Sequence, residues 1–529
     1  MNRAPGPEAS FDVVVVGGGV NGTGIARDFA LRGLKVALVE KQDLAVGASG
    51  NSSGMIHGGP RYLLKTPEVT ISSCLDSGYI QKIAPHMLFR VPFLMPVLPE
   101  ERGAELKLLT YDGFFRAYDR YQDLKRSHPH LCFGKDEVRA LEPGLVPAVG
   151  AITFDEWGLD GVRLCVANAL HAEQLGAAIF VGYRAVGLVT DSGGKARGLE
   201  LEGPDGQLRT LSARAIVNAT GAWTGKTAEL FGIPDEGIRV RPGKGIHVYL
   251  DRRLSNFAIV TNAIDGRQVF LLPWQNMSVL GTTDDDYYGD LDDVVATVDE
   301  VRYLYQAIER VFPLVRAARP IGTWAGLRPT LYAWGVPEDA LSRDHRTVDH
   351  ERYGRAGLFS MVGGKLASYR LFAEETADIV CRWLGTKAPC RTHLVPLPGG
   401  EETVPPGKLQ ELSGIDALTE RRLIARHGSR ALPLAEDMRR GALSSEVVCP
   451  CEPVTEAEIR ATVRHEWARS VDDVARRTRL GLGPCGGKLC ARRAGEIVAE
   501  ELGLTPEAGE ESAALFLRGN ERRTACLKG

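Results

Sequence analysis

Apolar and polar positions fall in blocks whose period changes along the chain. Residues 13–16 are four valines that stop at a glycine cluster. The run is too short for a helix and predicts a buried parallel strand. Beyond the glycines, Ile25, Ala26, Phe29, Ala30 and Leu31 recur at helical spacing until Gly33, with small residues on the inner face. Residues 35–39 predict a second strand, and Glu40 sits at its end. Helical spacing returns at 69–83, 164–175, 298–311 and 367–384, while 178–189, 196–202 and 213–219 predict strands.

The glycines between the first strand and helix are Gly17, Gly19 and Gly22, spaced G-x-G-x-x-G. Gly17 permits the tight turn, Gly19 lets backbone approach a pyrophosphate, and Gly22 lets helix and strand pack closely. The helix N-terminus offers free N–H groups to the phosphates. Glu40, about twenty residues on, accepts hydrogen bonds from a ribose. Strand, helix, second strand and acid all fall in place, so the motif reads as a dinucleotide site. Its place at the start of a long chain favours FAD over NAD, and the acidic strand end disfavours NADP.

An α/β architecture follows. A Rossmann-like FAD-binding domain takes about 11–75, 150–221 and 342–385, with an inserted α+β substrate domain from about 76–149 and 222–341. Residues 386–445 read as a Pro/Gly-rich linker and a helical module, 446–503 as a small helical cysteine domain, 504–529 as a charged helical tail, and 1–10 as a disordered leader. Net charge is −3, which gives no sign of nucleic-acid binding. No run approaches the ~20 apolar residues of a membrane span. The expected location is cytoplasmic, with peripheral contact with the inner face of the cell membrane through partners left open.

Candidate chemistry lies in four places. The loop 47–63, rich in glycine and serine, follows the second strand and contains His57-Gly-Gly-Pro-Arg61-Tyr62. Residues 221–227, Gly-Ala-Trp-Thr-Gly-Lys-Thr, imitate a phosphate loop but are one residue short of G-x-x-x-x-G-K-[ST], so the segment reads as a strand-turn-helix beside the cofactor. Arg61, Arg328, Arg343 and Lys365 lie in glycine-rich or strand-end settings. Each could be an ordinary surface charge; together they suit a small anionic substrate, arginine offering a rigid fork and lysine a point charge. Gly363-Gly364-Lys365 reads as the start of a helix whose positive end favours negative charge on a reduced flavin. Finally, Cys449-x-Cys451 and Cys485-x4-Cys490, separated by 33 residues, bracket two short helices opened by Thr455-x-x-Glu458 and Ser470-x-x-Asp473. Four thiolates suit a 2Fe–2S cluster or zinc; the lack of a C-x2-C knuckle puts the cluster first.

These motifs together give the chain a family likeness. Residues 11–385 resemble the FAD-dependent glycerol-3-phosphate dehydrogenases of the D-amino-acid-oxidase-like flavoproteins. The match runs through the fingerprint, Gly47-Ala-Ser, the His57-to-Tyr62 segment, Gly245-Ile-His247, Gly-Leu-Arg328-Pro, Ser-Arg343-Asp and Gly363-Gly-Lys365. The C-terminal cysteines resemble the bacterioferritin-associated-ferredoxin-type domain of the anaerobic A-subunit type. The resemblance implies FAD held by Gly17, Gly19, Gly22, Glu40, Lys41, Ala48, Ser49, Ala185, Val186, Ala219, Gly221, Gly363, Gly364, Lys365 and Leu366. It implies substrate phosphate held by Arg61, Arg328, Arg343 and Lys365, with Tyr62 and His247 in the pocket, and a cluster on Cys449, Cys451, Cys485 and Cys490.

The implied reaction oxidises sn-glycerol 3-phosphate to dihydroxyacetone phosphate, with electrons passed to a quinone or companion redox subunits. His57 and His247 are the candidate bases, with a structural role open for either, and Arg328 would stabilise an alkoxide. Two rivals stand beside this reading. One is a flavin enzyme for another small 2-hydroxy or 2-amino acid; the other is a non-catalytic electron-transfer subunit.

Overall fold

The computed structural model describes residues 10–64, 67–336 and 345–528. Most of the expected leader therefore lies outside the described residues. The valine run forms β1 (Ser10–Val16), followed by α1 (Val20–Leu31) and β2 (Val36–Glu40). β1 is apolar on both faces because both are covered. Val13 and Val15 pack with Phe29 of α1 in one core; Val14 and Val16 pack with Leu199 and Phe231 in another. β1 runs parallel to β2, Val13 opposite Val36, and parallel to Leu208–Asn218, Val13 opposite Ala215. Leu358–Gly363 extends this sheet on one side and Ala178–Val181 on the other.

The single strand expected over 178–189 is broken. Gly182, at φ +83°, turns the chain, and Arg184–Thr190 starts a separate hairpin with Ala196–Glu202. A second, mostly antiparallel sheet stands beside the first, built on Val240–Leu250 paired along Pro320–Leu331. Its helix Val298–Glu309 is opened by a capping box from Thr297 and Glu300.

The expected domain division shifts at one point. Residues 150–158, assigned above to the nucleotide part, form a strand of the second sheet, antiparallel to Phe89–Val97. A strand's alternation tells which side chains are buried but not which strand lies next to it. Between these strands in the chain comes α3 (Ala104–Tyr118), whose Phe115 packs on them, while α2 (Pro67–Ile83) precedes them and joins both cores, Cys74 in the one and Ile80 and Ile83 in the other.

The C-terminal region is packed, not tethered. The segment read as a linker lies against α1: Arg27 donates to the carbonyls of Thr392 and Val395, and Leu397 is fully buried. Buried ion pairs fasten the cysteine region to the nucleotide domain. Arg163 binds Glu466 at 2.6 and 3.1 Å, and Arg477 grips both oxygens of Asp43 at 2.7 Å. The tail is the helix Pro506–Thr524. It crosses Ala491–Leu502 where Gly495 meets Gly509; a Cβ on Gly495 would stand 2.3 Å from the Gly509 carbonyl oxygen. Its end returns to the second sheet, where the Thr323 hydroxyl donates to the Arg523 carbonyl at 2.5 Å. No helix among the described residues is long and apolar enough to cross a membrane.

Candidate active site

A cavity of about 1180 Å³ lies where the β1–α1 turn, the glycine-serine loop and the second sheet meet. It exceeds the ~300–1,000 Å³ of a drug-sized site. Gly17, Gly19, Glu40, Lys41, Ala48, Ser49, Ala185, Ala219, Gly221, Gly363, Gly364 and Leu366 line it from the nucleotide domain.

The turn is shaped for close approach. Gly17 has φ +114°, and a Cβ there would sit 2.6 Å from the Ala219 carbonyl oxygen. α1 follows Gly19, which has no side chain to cap it; the Val20 N–H donates to the Ser49 hydroxyl at 2.9 Å, and Gly19, Val20 and Asn21 at the helix start line the cavity. Glu40 accepts from the Gly18 N–H at 2.7 Å and the Gln42 N–H at 2.9 Å; burial raises its pKa against those bonds. Asn21 donates to the Gly363 carbonyl at 3.3 Å, while its buried Oδ1 has no partner. A glycine cradle, a helix start in the cavity wall and an acid at the second strand's end fit a dinucleotide.

Two expected cofactor contacts differ. Gly22 does not line the cavity; it sits under the turn, where a Cβ would stand 1.9 Å from the Gly17 carbonyl oxygen. Val186 does not line it either, because the chain bulges between Ala185 and Gly187 and leaves Val186 out of the ladder. The imitation phosphate loop is a strand, a turn and the helix Thr224–Leu230 beside the same cavity.

His57, His247, Arg328 and Lys365 also line the cavity. Arg328 is braced by Asp284 at 2.9 Å and by the Thr282 hydroxyl and Thr283 carbonyl at 3.0 Å each. Lys365 stands 3.8 Å from the centroid of the Tyr62 ring, so Tyr62 supports the lysine and is not itself among the lining residues. The helix expected from Gly363 begins later: a short turn over Leu366–Ser368 precedes Tyr369–Leu384. Arg343 and the side chain of Arg61 lie outside the described residues.

The two histidines separate. His247 is buried, stacks on Trp324 at 4.8 Å, and meets the Ser53 hydroxyl at 2.9 Å through Nε2. Burial, with the charge of Arg328, pushes its pKa down to about 3. A ring held neutral in this way is a poor base near neutrality.

Sequence reasoning missed Ser53, Asp284, Arg267 and Glu156, all of which line the cavity. Ser53 carried a signal, lying in the glycine-serine loop. The acids carried none, since each reads locally as solvated.

The four C-terminal cysteines stand as two hydrogen-bonded pairs, Cys449 with Cys490 and Cys451 with Cys485. The Cys490 thiol and the N–H groups of Gly481, Glu452 and Cys451 hold the Cys449 thiol low, at about 6, against its burial. Among the described residues no group of three or more His, Cys, Asp or Glu side chains is arranged to hold a metal ion, so the expected four-donor site is not formed as the thiols stand. The pairing follows the chain: the two inner cysteines of the pattern face each other, as do the two outer ones.

Residues 12–370 match the family described as FAD dependent oxidoreductase, and 390–508 match the C-terminal domain of alpha-glycerophosphate oxidase. The chain is 33% identical over 518 residues to the A-subunit of the anaerobic glycerol-3-phosphate dehydrogenase of Escherichia coli, covering 97% of this chain and 92% of that one. It is 32% identical over 529 residues to a glycerol-3-phosphate dehydrogenase of Mycobacterium leprae, covering 96% and 87%. The structure of the glycerol-3-phosphate dehydrogenase of Bacillus halodurans, complexed with FAD, superposes with a TM-score of 0.75 at 25% identity, covering 99% of this chain and 95% of that one.

Proposed function

From the premise that this chain belongs to the FAD dependent oxidoreductase family, among its glycerol-3-phosphate dehydrogenases, we propose that it oxidises sn-glycerol 3-phosphate to dihydroxyacetone phosphate. FAD, when bound, supplies the acceptor for the hydride leaving C2. The residues that would hold it are the glycines of the β1–α1 turn, the start of α1, Glu40, and the Ala48-Ser49 and Gly363-Gly364 backbones. Arg328 and Lys365, with Arg61 and Arg343 by sequence, bind the phosphate and stabilise the alkoxide as it forms. His57 takes the hydroxyl proton. His247, held neutral against Ser53, orients the alcohol.

The observation that carries this reading is the braced Arg328 guanidinium in the same cavity as the glycine cradle. A cation fixed on Asp284 and the Thr282 hydroxyl needs no reorganisation when an anion arrives. The test is a visible spectrum of the purified flavoprotein before and after anaerobic addition of glycerol 3-phosphate. Bleaching of the flavin band is expected. Bleaching by a 2-hydroxy or 2-amino acid, with none by glycerol 3-phosphate, would overturn it.

For reoxidation the proposal is a quinone or companion redox subunits, met at the inner face of the cell membrane by an otherwise cytoplasmic protein. Support comes from the cysteine region and from the absence of a membrane-crossing helix among the described residues. Cys449, Cys451, Cys485 and Cys490 are the donors proposed for a 2Fe–2S centre, which would supply one-electron exchange with such a partner. What supports it is the donor chemistry, four thiols with three backbone N–H groups on Cys449. Iron analysis and electron paramagnetic resonance of anaerobically purified protein test it, and iron-free protein of full activity would refute it.

A further inference from the structure

The loop carrying His57 is tied down at nearly every peptide. Ser77 donates its hydroxyl to the Ile56 carbonyl at 3.0 Å, and Thr70 donates to the Gly59 carbonyl at 3.1 Å, both from α2. Cys74, also on α2, lies 3.8 Å from the Gly58 carbonyl. The remaining anchor comes from the other side. Glu156, on the strand Gly150–Gly158, accepts the Gly58 N–H at 3.0 Å. That N–H belongs to the peptide that begins at the His57 carbonyl, so its direction sets where His57 sits.

Glu156 is an expensive way to anchor a loop. It is 1% exposed, and a buried carboxylate needs a partner. It has one: Lys125, itself 2% exposed, stands 3.2 Å from its other oxygen, and the Tyr118 hydroxyl donates to that oxygen at 2.7 Å. Lys125 is fixed in turn, its ammonium donating to the Asp155 carbonyl at 2.5 Å and lying 4.4 Å from the Tyr118 ring centroid. There is no slack, since a Cβ on Gly58 would fall 2.2 Å from the Tyr118 oxygen and 2.4 Å from the Cys74 sulfur. Buried ion pairs are often replaceable by apolar residues at no loss of stability. This one adjoins the cavity, and Glu156 is part of its wall.

We infer that Glu156, held by Lys125 and Tyr118, is a positioning residue that fixes the His57 peptide for proton uptake. The inference rests on the role given to His57 under the proposed function. Two double variants isolate the hydrogen bond at constant charge. Glu156→Gln with Lys125→Met keeps an acceptor for the Gly58 N–H; Glu156→Leu with Lys125→Met removes it.

Hydrogen exchange of the peptide spanning residues 54–62 needs no substrate. The glutamine double should keep its protection, and the leucine double should exchange at least ~10-fold faster, the loss expected of one broken hydrogen bond. Stopped-flow flavin reduction by glycerol 3-phosphate should be slower in the leucine double by on the order of 10²-fold, the scale of an ångström-sized misplacement, with little change in KM. Should the leucine double fail to fold, Glu156→Asp, one methylene shorter, keeps the negative charge opposite Lys125 but withdraws the acceptor from the Gly58 N–H, and should show the same two changes. Equal exchange and equal reduction rates in the paired variants, at equal flavin content, would overturn the inference. If glycerol 3-phosphate fails to reduce even the wild-type flavin, the substrate reading falls alone, and the exchange comparison still decides for or against Glu156.

Discussion

The Ser53 hydroxyl meets Nε2 of His247 at 2.9 Å, although the two residues are 194 positions apart. The contact occupies Nε2, while Nδ1 is buried without a partner. With its pKa pushed down to about 3 by burial and by Arg328, His247 is neutral throughout the working range. His247→Gln is therefore expected to slow flavin reduction about tenfold by loosening the alcohol. The acid limb of the kcat/KM profile should stay where it is. Loss of that limb in the variant would return the base role to His247.

Acid should destabilise the fold well above the carboxylate range. Burial is the first cause holding His86 and His247 down to about 3 and His171 and His350 to about 4. The unfolded chain binds their protons near 6.5, so it holds more protons than the native state between about 6.5 and these values. Stability is thus fully present above about 6.5 and falls as pH drops through that window, by roughly 1.4 kcal/mol per pH unit for each histidine. Urea midpoints from pH 7 to pH 5 measure the slope, and His350→Asn should reduce it.

Arg328→Lys keeps the charge but loses the fork held by Asp284, Thr282 and Thr283. A fall of about 10²-fold in kcat/KM for glycerol 3-phosphate is expected, with flavin content unchanged. An unaltered kcat/KM would remove Arg328 from the phosphate and alkoxide roles.

Gly22→Ala places a methyl carbon 1.9 Å from a backbone oxygen with no flexible neighbour to yield. α1 must then move off β1. Loss of more than about 3 kcal/mol and a falling flavin-to-protein ratio are expected, read by melting and by absorbance. At Gly33, where a Cβ would meet nothing within 4 Å, alanine has only its positive φ to oppose it and should cost far less.

Asp43→Asn breaks the paired contact with Arg477. Burial alone would raise the Asp43 pKa, but Arg477 and Arg476 outweigh it and hold it at about 2. Removing one partner of such a pair costs about 3–5 kcal/mol. Because Asp43 follows Glu40 by three residues, flavin should also be lost more readily, measured as release on dilution.

The β1-α1-β2 unit was legible because its signal is local: a strand, three glycines and a helix must adjoin in sequence to work. His57, Arg328 and Lys365 were legible because each sits in a short glycine- or proline-marked motif. Glu156 was not, since in Asp155-Glu156-Trp157 an acid on a strand reads as solvent-facing, and only Lys125 from a distant segment makes its burial tolerable. The same holds for Asp284 and Ser53, whose partners come from other strands. Val186 was misplaced because a bulge shifts the alternation by one residue, which spacing alone does not reveal. The 388–408 segment looked like a tether because prolines and glycines mark it; what holds it comes from elsewhere in the chain, Arg27 of α1 on the Thr392 and Val395 carbonyls and the Ile83 carbonyl of α2 on the Leu397 N–H.

The pairing of Arg163 with Glu466 bears on any attempt to trim the enzyme. Arg163 belongs to the flavin-binding half and Glu466 to the cysteine-bearing end, so cutting the chain after Gly385 would take away every partner of the Arg163 guanidinium, Arg426, His427 and Glu466 alike, and bare the face it is packed on. The catalytic half is therefore no detachable cassette: whoever miniaturises or transplants it must bring the far end along, or first redesign the seat of Arg163 as an apolar one.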